Sequence, residues 1–333
     1  MAAPTLSVVI PVHDEAAHLP TTVAALVAAV EESGFLADVV VVDDGSSDGS
    51  AAVAQRALAG RLPLQVVTQP NRGRFEARRA GLERARGEHV LLLDGRVRVR
   101  PGSLAHVERR LAAGEVVWTA DVRIDVGGNP FATFQNVLTE IAWRDYFERP
   151  RALSFDESDF DRYPKGTTCF FAPRELVVAA VHAFASRYAD TRDANDDTPL
   201  LRWVSARERI HLSPDFGCEY TARGTLGSFL RHSVHRGTVF LDGHGRRESR
   251  FFPLAVASFP VTAGVALACL ARPRSLRAVV LATSAGAAAI ALRTRRSRSE
   301  VVTVAGLAPV WAAAFAVGLW RGLVLQLAHR ARG

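Results

Sequence analysis

The sequence predicts an α/β protein: a doubly wound, mostly parallel sheet followed by helices able to cross a membrane. Three observations predict it. β-Branched apolar runs alternate with helical stretches along the first third of the chain, polar clusters stand where those runs end, and residues 251–333 carry three long apolar stretches separated by arginines. Residues 6–12 are apolar and β-branched and run into a loop, the pattern of a buried strand. Residues 19–32 have helical periodicity, with Pro20 and Thr21 in the first turn. Residues 38–42 form a second strand, 50–58 a helix, 64–68 a third strand, 74–86 a helix and 89–93 a fourth strand. Short connections between alternating strands and helices imply a parallel sheet covered on both faces. In such a sheet the ligand crevice lies beyond the C-terminal strand ends. HDE (13–15), DDGSSD (43–48) and DGR (94–96) all fall there. Further along, 114–124 reads as a strand, 129–148 as an aromatic-rich helix, 154–166 as a polar, mobile loop, 167–172 as a strand, and 175–185 and 199–206 as helices.

The last quarter changes character. Residues 251–271 carry no charge and are long enough to span a bilayer, which takes about 20 apolar residues. Residues 278–292 are uncharged but short and Ala-rich, and 301–320 form a third candidate that 322–327 continue past Arg321. By the positive-inside bias, RRESR (246–250) and RTRRSRSE (293–300) belong on the cytoplasmic side. The first two candidates then make a hairpin with Arg272, Arg274 and Arg277 outside, a poor fit that leaves the number of spans at two or three. The competing reading is a buried helical core in a soluble protein. The expected division is a catalytic domain over 1–225, a juxtamembrane amphipathic segment over 226–250 and a transmembrane region over 251–333.

Composition narrows the partners. Lys and Arg number 41 against 34 Asp and Glu, a formal charge of +7, and Lys165 is the only lysine. A GC-rich genome accounts for that arginine bias, yet the planar guanidinium fork also suits phosphates. The balance fits anionic lipid or a diphosphate, and without a basic stripe interleaved with aromatics it speaks against nucleic acid. Cys169, Cys218 and Cys269 form no CxxC pattern, which argues against a disulfide framework or zinc site and for a reducing compartment. The opening MAAPTLSVVIPVHDE has no basic n-region or sustained apolar stretch and does not read as a signal peptide, so the N-terminal domain is expected in the cytoplasm.

Four segments, SVVIPVHDEAAHLPTTVAAL (7–26), VVVVDDGSSDGS (39–50), NRGRFEARRAGLERARGEHVLLLDG (71–95) and DANDDTPLLRW (193–203), resemble in order and spacing the inverting glycosyltransferase family 2 of the GT-A fold. The resemblance covers roughly the first two thirds of the chain. It implies a nucleotide-sugar donor lying across the strand ends. Pro11, His13 and Glu15 would border the nucleoside, although Glu15 alone also reads as a helix cap. Asp43 and Asp44 would read the base, Asp44-Gly45 being by itself an ordinary turn signal. Arg78 matches an arginine that faces the nucleotide, or else belongs to a solvated face with Arg72, Arg74 and Arg79.

The family's Asp-x-Asp element, whose acids hold a divalent cation (Mg or Mn) on the sugar diphosphate, reads Asp94-Gly95-Arg96 here. Asp94 remains as a candidate metal ligand, and Arg96 takes the second acid's place. Three readings stay open: a cation held by Asp94 with diphosphate and water, Arg96 itself supplying the positive charge, or an inactive descendant. Asp196 and Asp197 match the family's acid pair, with Asp197 in the place of the general base. Helix capping before Pro199 is the plainer alternative.

KGTT (165–168) resembles a loop that touches sugar or acceptor, with Cys169 a buried small residue. FLRHSVHRGTVF (229–240) resembles a juxtamembrane segment lying under the site in membrane-bound relatives. It lacks the Q-x-x-R-W of processive synthases, which points to single transfers, and its His232 and His235 are explained by an amphipathic surface helix rather than a metal.

The reading is thus a multi-pass membrane enzyme, its catalytic domain on the cytoplasmic face, that moves a sugar from a nucleotide donor to a lipid-linked or envelope-glycan acceptor with inversion. Two rivals remain. One is a catalytically silent membrane protein that binds nucleotide or scaffolds an envelope complex. The other is a nucleotidyltransferase, which the acidic, glycine-free HDEAAH (13–18) disfavours.

Overall fold

The computed structural model describes residues 5–331. β1 (Thr5–Val12), α1 (Leu19–Glu31), β2 (Leu36–Asp44), α2 (Ser50–Leu58), β3 (Leu64–Gln69), α3 (Arg74–Leu82) and β4 (His89–Leu93) alternate as expected. β3-β2-β1-β4 pair in parallel in that order. β1, β2 and β4 are largely apolar because both faces are covered, whereas the edge strand β3 leaves Gln65 and Thr68 exposed. Val8, Ile10, Val39, Val41 and Leu91 face one core, while Val9, Val90 and Leu92 face another with Phe155, Phe170 and Leu201.

The chain continues through β5 (Val97–Val99), α4 (Ser103–Leu111), β6 (Trp118–Thr119), β7 (Asp121–Asp125), α5 (Pro130–Ala142), α6 (Arg144–Phe147), β8 (Leu153–Phe155), β9 (Cys169–Pro173), α7 (Arg174–His182), α8 (Thr198–Ser205), β10 (Ile210–Leu212) and β11 (Gly217–Thr221). β9 runs antiparallel beside β4, and β6, β10 and β8 complete an eight-stranded sheet. β5, β11 and β7 form a second, three-stranded one.

Three sequence expectations change here. The single strand over 114–124 is two strands in different sheets. The amide of Ala120 bonds Cys169 O and that of Asp121 bonds Phe216 O, so the chain swaps partners at that step. The helix over 129–148 breaks at Trp143, whose φ/ψ of −121°/45° is not helical. The stretch 154–166 is pinned rather than open: Phe155, Phe160 and Tyr163 are buried, and the Lys165 ammonium donates to the carbonyls of Phe160 and Tyr163 while lying 4.1 Å from the Phe160 ring centroid.

The chain divides into two compact units: Met1–Arg123, Asp145–Ala185 and Asp196–Tyr220 in the first, and Ile124–Arg144, Ser186–Asn195 and Thr221–Gly333 in the second. The second contains α5, α9 (Leu226–His244), α10 (Phe252–Ala271), α11 (Ser275–Arg293) and α12 (Arg298–Arg330). Among the described residues, α10, α11 and α12 are long and apolar enough to cross a membrane. Leu254, Leu267 and Leu270 of α10 and Leu281 and Leu292 of α11 are exposed. α12 outgrows the expected 301–320 at both ends. It starts inside the arginine-rich loop because Ser297 and Glu300 form a capping box, and Arg296 pairs with Glu140. Farther on, Arg321 pairs with Asp193 at 2.7 Å.

α9 and α12 touch backbone to backbone. A Cβ at Gly237 would stand 2.1 Å from Phe315 O, and one at Gly318 would stand 2.0 Å from Val234 O, so neither position takes a larger residue without prying the helices apart. Phe134, Val137, Phe229, Val304 and Ala308 fill the adjoining apolar cluster.

Candidate active site

The C-terminal ends of β1, β2 and β4 carry the polar residues singled out in the sequence, and the structure sorts them into three groups. Pro11 lies within β1, opposite Val42 of β2, and leads the chain into the first group. There Asp14 takes φ 54°, a left-handed conformation that only Gly, Asn and Asp adopt at low cost. Aspartate is one of the few residues that position tolerates. The Asp14 carboxylate accepts from the Ser47 amide at 2.8 Å, and the Asp14 amide donates to Ser46 Oγ at 3.1 Å, which knits the loop after β1 to the loop after β2.

Asp43 and Asp44, both buried, divide their tasks. Asp44 Oδ1 accepts from the Arg72 amide and Gln69 Nε2, and its Oδ2 from the Gly73 amide, all at 2.8 Å. Both oxygens are therefore spent on shaping the 71–73 loop. Gly73 there has φ 90°, ψ 163°, a region open to glycine alone, and it starts α3. Asp43 Oδ1 accepts from the Ser46 amide at 2.8 Å. His13 Nδ1 lies 3.0 Å from Asp44 O, and its Nε2 lies 3.1 Å from Asn71 Nδ2.

The second group is the pair Glu15–Arg96. Arg96 Nε and Nη2 reach the Glu15 carboxylate at 3.0 and 2.7 Å, with both side chains largely buried. The guanidinium at the altered Asp-x-Asp position is committed to a carboxylate of the preceding loop.

The third group gathers residues far apart in sequence. Arg78, only 3% exposed, stands among three aspartates. Its Nη2 donates to Asp94 Oδ1 at 2.7 Å and to Thr167 O at 3.2 Å; its Nη1 donates to Asp196 and, at 3.5 Å, to Asp197 Oδ1. Arg74, one helical turn earlier on α3 and 44% exposed at its side chain, grips Asp196 with Nε at 3.0 Å and Nη2 at 2.9 Å and approaches Asp94 Oδ2 at 3.7 Å. The amide and hydroxyl of Thr167 both donate to Asp197 Oδ1, the amide at 3.2 Å.

The two acids of the pair are thereby split. Burial pushes Asp196 up, but the charges of Arg74 and Arg78 outweigh it and hold the carboxyl down to about 2. Asp197 is pushed above the usual carboxylate range, first by burial and then by the neighbouring Asp196 charge, against the pull of both arginines. A neutral-pH anion beside a more basic partner is the arrangement that marks acid–base roles.

Arg74 and Thr167 had no individual place in the sequence reading. The i, i+4 spacing of Arg74 and Arg78 on one helix face was the available signal for the first. Nothing in the string KGTT gives the direction of the Thr167 hydroxyl.

The model of glycosyl transferase family 2 matches residues 7–173, half of the 333-residue chain. The chain belongs to glycosyl transferase family 2. This family 2 glycosyltransferase is similar to the undecaprenyl-phosphate 4-deoxy-4-formamido-L-arabinose transferase of Pseudomonas aeruginosa strain LESB58, 38% identical over 111 residues, which are 33% of each chain. It is similar also to the transferase of that name from Aeromonas hydrophila subsp. hydrophila, 35% identical over 117 residues, 34% of this chain and 36% of that one. The match thus spans about a third of these relatives' length.

Two solved structures share its fold. S. aureus TarS 1–349 in complex with UDP-GlcNAc aligns with TM-score 0.54 and 15% identity over 98% of this chain and 92% of that one. Mannosyltransferase PcManGT from Pyrobaculum calidifontis in complex with GDP-Man and Mn2+ aligns with TM-score 0.56 and 18% identity over 95% and 87%. At these identities the likeness is one of fold, and it is the GT-A fold expected from the sequence motifs.

The donor set around Asp94 does not fit a resident divalent cation. A hard cation wants several oxygen ligands, whereas Asp94 is the only acid left of the Asp-x-Asp element and already accepts from Arg78. Among the described residues no group of three or more His, Cys, Asp and Glu is arranged to hold a metal.

Proposed function

We propose that the chain transfers a sugar from a nucleoside diphosphate donor to a membrane-held, lipid-linked acceptor, with inversion and one sugar at a time. The observation that carries this reading is the third group: an acid pair split in basicity and held by two arginines beside Asp94, at the end of the strand next to β1. The nucleoside lies over the ends of β1 and β2, bordered by Pro11 and His13. Asp43 is the base-reading acid of the pair, because Asp44 already accepts three hydrogen bonds.

The acceptor oxygen attacks the anomeric carbon from the face opposite the diphosphate, the bond from that carbon to the diphosphate oxygen breaks, and the acceptor proton passes to Asp197. An acceptor phosphate needs less of that help than a hydroxyl. The negative charge arriving on the leaving diphosphate is met by guanidinium, with Arg74, the more exposed of the two on α3, swinging from Asp196 to phosphate oxygens. The relatives named for an undecaprenyl-phosphate substrate, together with the apolar C-terminal helices, support a polyprenyl phosphate as the acceptor class.

In this reading residues 1–225 are the catalytic domain, 226–250 the juxtamembrane segment and 251–333 the membrane region, with the catalytic domain on the cytoplasmic face. The arginines of 246–250 and 293–298, flanking α10 and α11, support that orientation through the positive-inside bias.

The test is a screen of the purified full chain in nanodiscs against UDP-, GDP- and dTDP-sugars, with polyprenyl phosphate and with and without chelator. Transfer is expected from one donor class. Failure of every donor to react, combined with failure of UDP, GDP and dTDP to bind, would sink the transferase reading. Chelation is expected to change the rate by less than about twofold, since arginine rather than a cation meets the leaving charge. A rate abolished by chelator and restored by Mn2+ would overturn that part.

A further inference from the structure

Asp197 is the N-cap residue of α8, the place where an aspartate ordinarily accepts from an amide of the first helical turn. Among the described residues its carboxylate makes no such capping bond. Its Oδ1 instead accepts from the amide and the hydroxyl of Thr167 and lies 3.5 Å from Arg78 Nη1. Thr167 is 0% exposed, so this contact is made away from bulk water.

Thr167 is itself held from several sides. The Asp94 amide donates to Thr168 O at 2.9 Å, the Gly166 amide donates to Thr119 Oγ1 at 3.3 Å, and Arg78 Nη2 donates to the Thr167 carbonyl at 3.2 Å. The hydroxyl is thus presented by a backbone fixed from the end of β4, from β6 and from α3. All of these residues belong to the first compact unit.

We infer that Thr167 is a positioning residue for the transfer of the acceptor proton: its hydroxyl draws the Asp197 carboxylate off the helix cap, aims it and favours its ionised form, and so sets the pH at which the base works. This rests on the proposed role of Asp197. A hydrogen bond donated to the charged form of a group favours that form. The charges around Asp197 are divided. Burial, Asp196 beside it and Asp94 after β4 disfavour the ion, while Arg74 and Arg78 of α3 favour it, and the balance stands above the usual carboxylate range. The Thr167 hydroxyl works on the side of the two arginines.

Valine at 167 keeps the β-branched shape and puts a methyl group where the hydroxyl was. Asp197 Oδ1 then keeps the backbone amide and loses the second donor. One hydrogen bond to a charged group corresponds to about 1–2 pKa units. A base works only when ionised, so a raised pKa moves the acid limb of the rate upward in pH.

The experiment compares wild type with Thr167→Val, Thr167→Ala, Thr167→Ser and Asp197→Asn, full chains in nanodiscs. It reads kcat per nucleotide-binding site against pH, and the affinity for the tightest binder among UDP, GDP and dTDP. One donor and one acceptor serve every variant, so the acceptor's own ionisation is common to all. Thr167→Val and Thr167→Ala are expected to move the midpoint of the acid limb up by about 1–2 pH units, with nucleotide affinity within about twofold. Thr167→Ser, which restores the hydroxyl, is expected to bring the midpoint back to within about half a unit of wild type.

A Thr167 that served packing alone would lower the folded fraction of Thr167→Val and leave the limb at its wild-type position; that result overturns the inference. Should Thr167→Val not fold, Thr167→Ala decides alone, an unmoved limb overturning it. A Thr167→Ser limb displaced as far as that of Thr167→Val also overturns it, because the hydroxyl is then not the cause. Full transfer by Asp197→Asn would instead remove the reading on which the inference stands, and the two failures are thereby told apart.

Discussion

Replacing Asp197 with asparagine is expected to lower transfer by about 10²–10⁴-fold while nucleotide affinity changes by less than about twofold. The size follows from what a positioned base contributes, and the selectivity follows from geometry. The new amide side chain can still accept from the Thr167 amide and hydroxyl through its carbonyl oxygen, so the loop keeps its anchor. What is lost, in the proposed mechanism, is the site that receives the acceptor proton.

Wild type should show the matching pH dependence. Asp197 works as a base only when ionised, and burial together with the Asp196 charge raises its pKa. Transfer should therefore fall as pH drops through a value above the usual carboxylate range, and level off above it. Asp196, held down to about 2 by Arg74 and Arg78 against the effect of burial, stays ionised throughout that window. A wild-type rate flat down to pH 4, or an Asp197→Asn variant of normal activity, would remove Asp197 from the role. A phosphate acceptor makes the loss smaller than a hydroxyl acceptor does, so the measured factor also reports on acceptor chemistry.

What could be read from the sequence follows a physical division. The parallel half of the sheet was legible almost to the residue, because strands buried on both faces are unbroken apolar runs and each ends where polar residues begin. The antiparallel half was not. β6 and β7 have no turn signal between them, and their assignment to two sheets depends on which backbone partners, Cys169 and Phe216, come alongside. The stretch 154–166 is polar by composition, and its three buried aromatics alternate with acids that mask them.

At the site, the acids were legible and their partners were not. Asp94, Asp196 and Asp197 stand out as chemistry, but only the fold reveals that Arg78 gathers all three and that Arg96 turns to Glu15. The start of α12 shows the opposite case. The S-x-x-E of 297–300 was a capping box in plain sight, hidden by reading the arginines around it as loop.

Replacing Arg78 with methionine should be the most destabilising single change in the first unit, at about 3–5 kcal/mol. The side chains are similar in length, so the cost is not a cavity. It is the charge left behind: Asp94 and Asp196, both buried, lose a shared cation, and Asp197 loses a partner as well. Arg74 is in place to offset only part of this, since it already holds Asp196 and is 3.7 Å from Asp94. For a unit of this size, about 2–4 °C per kcal/mol makes the expected fall in Tm roughly 6–20 °C, measurable by thermal unfolding of the purified chain.

Arg78→Lys keeps the charge but not the fork. One ammonium cannot serve Asp94, Asp196 and the Thr167 carbonyl in the geometry of two guanidinium nitrogens, so it should recover only part of the loss. Arg74→Met is the control. Its own side chain is 44% exposed, and Arg78 still holds the buried Asp196 once it is gone, so its Tm should fall by less than that of Arg78→Met, while in the proposed mechanism transfer falls through the lost contact with the leaving diphosphate. Equal thermal losses for the two arginines would mean that Arg78 is not the keystone of the acid cluster. A stable Arg78→Met that still transfers sugar would mean that the cluster is not the catalytic site.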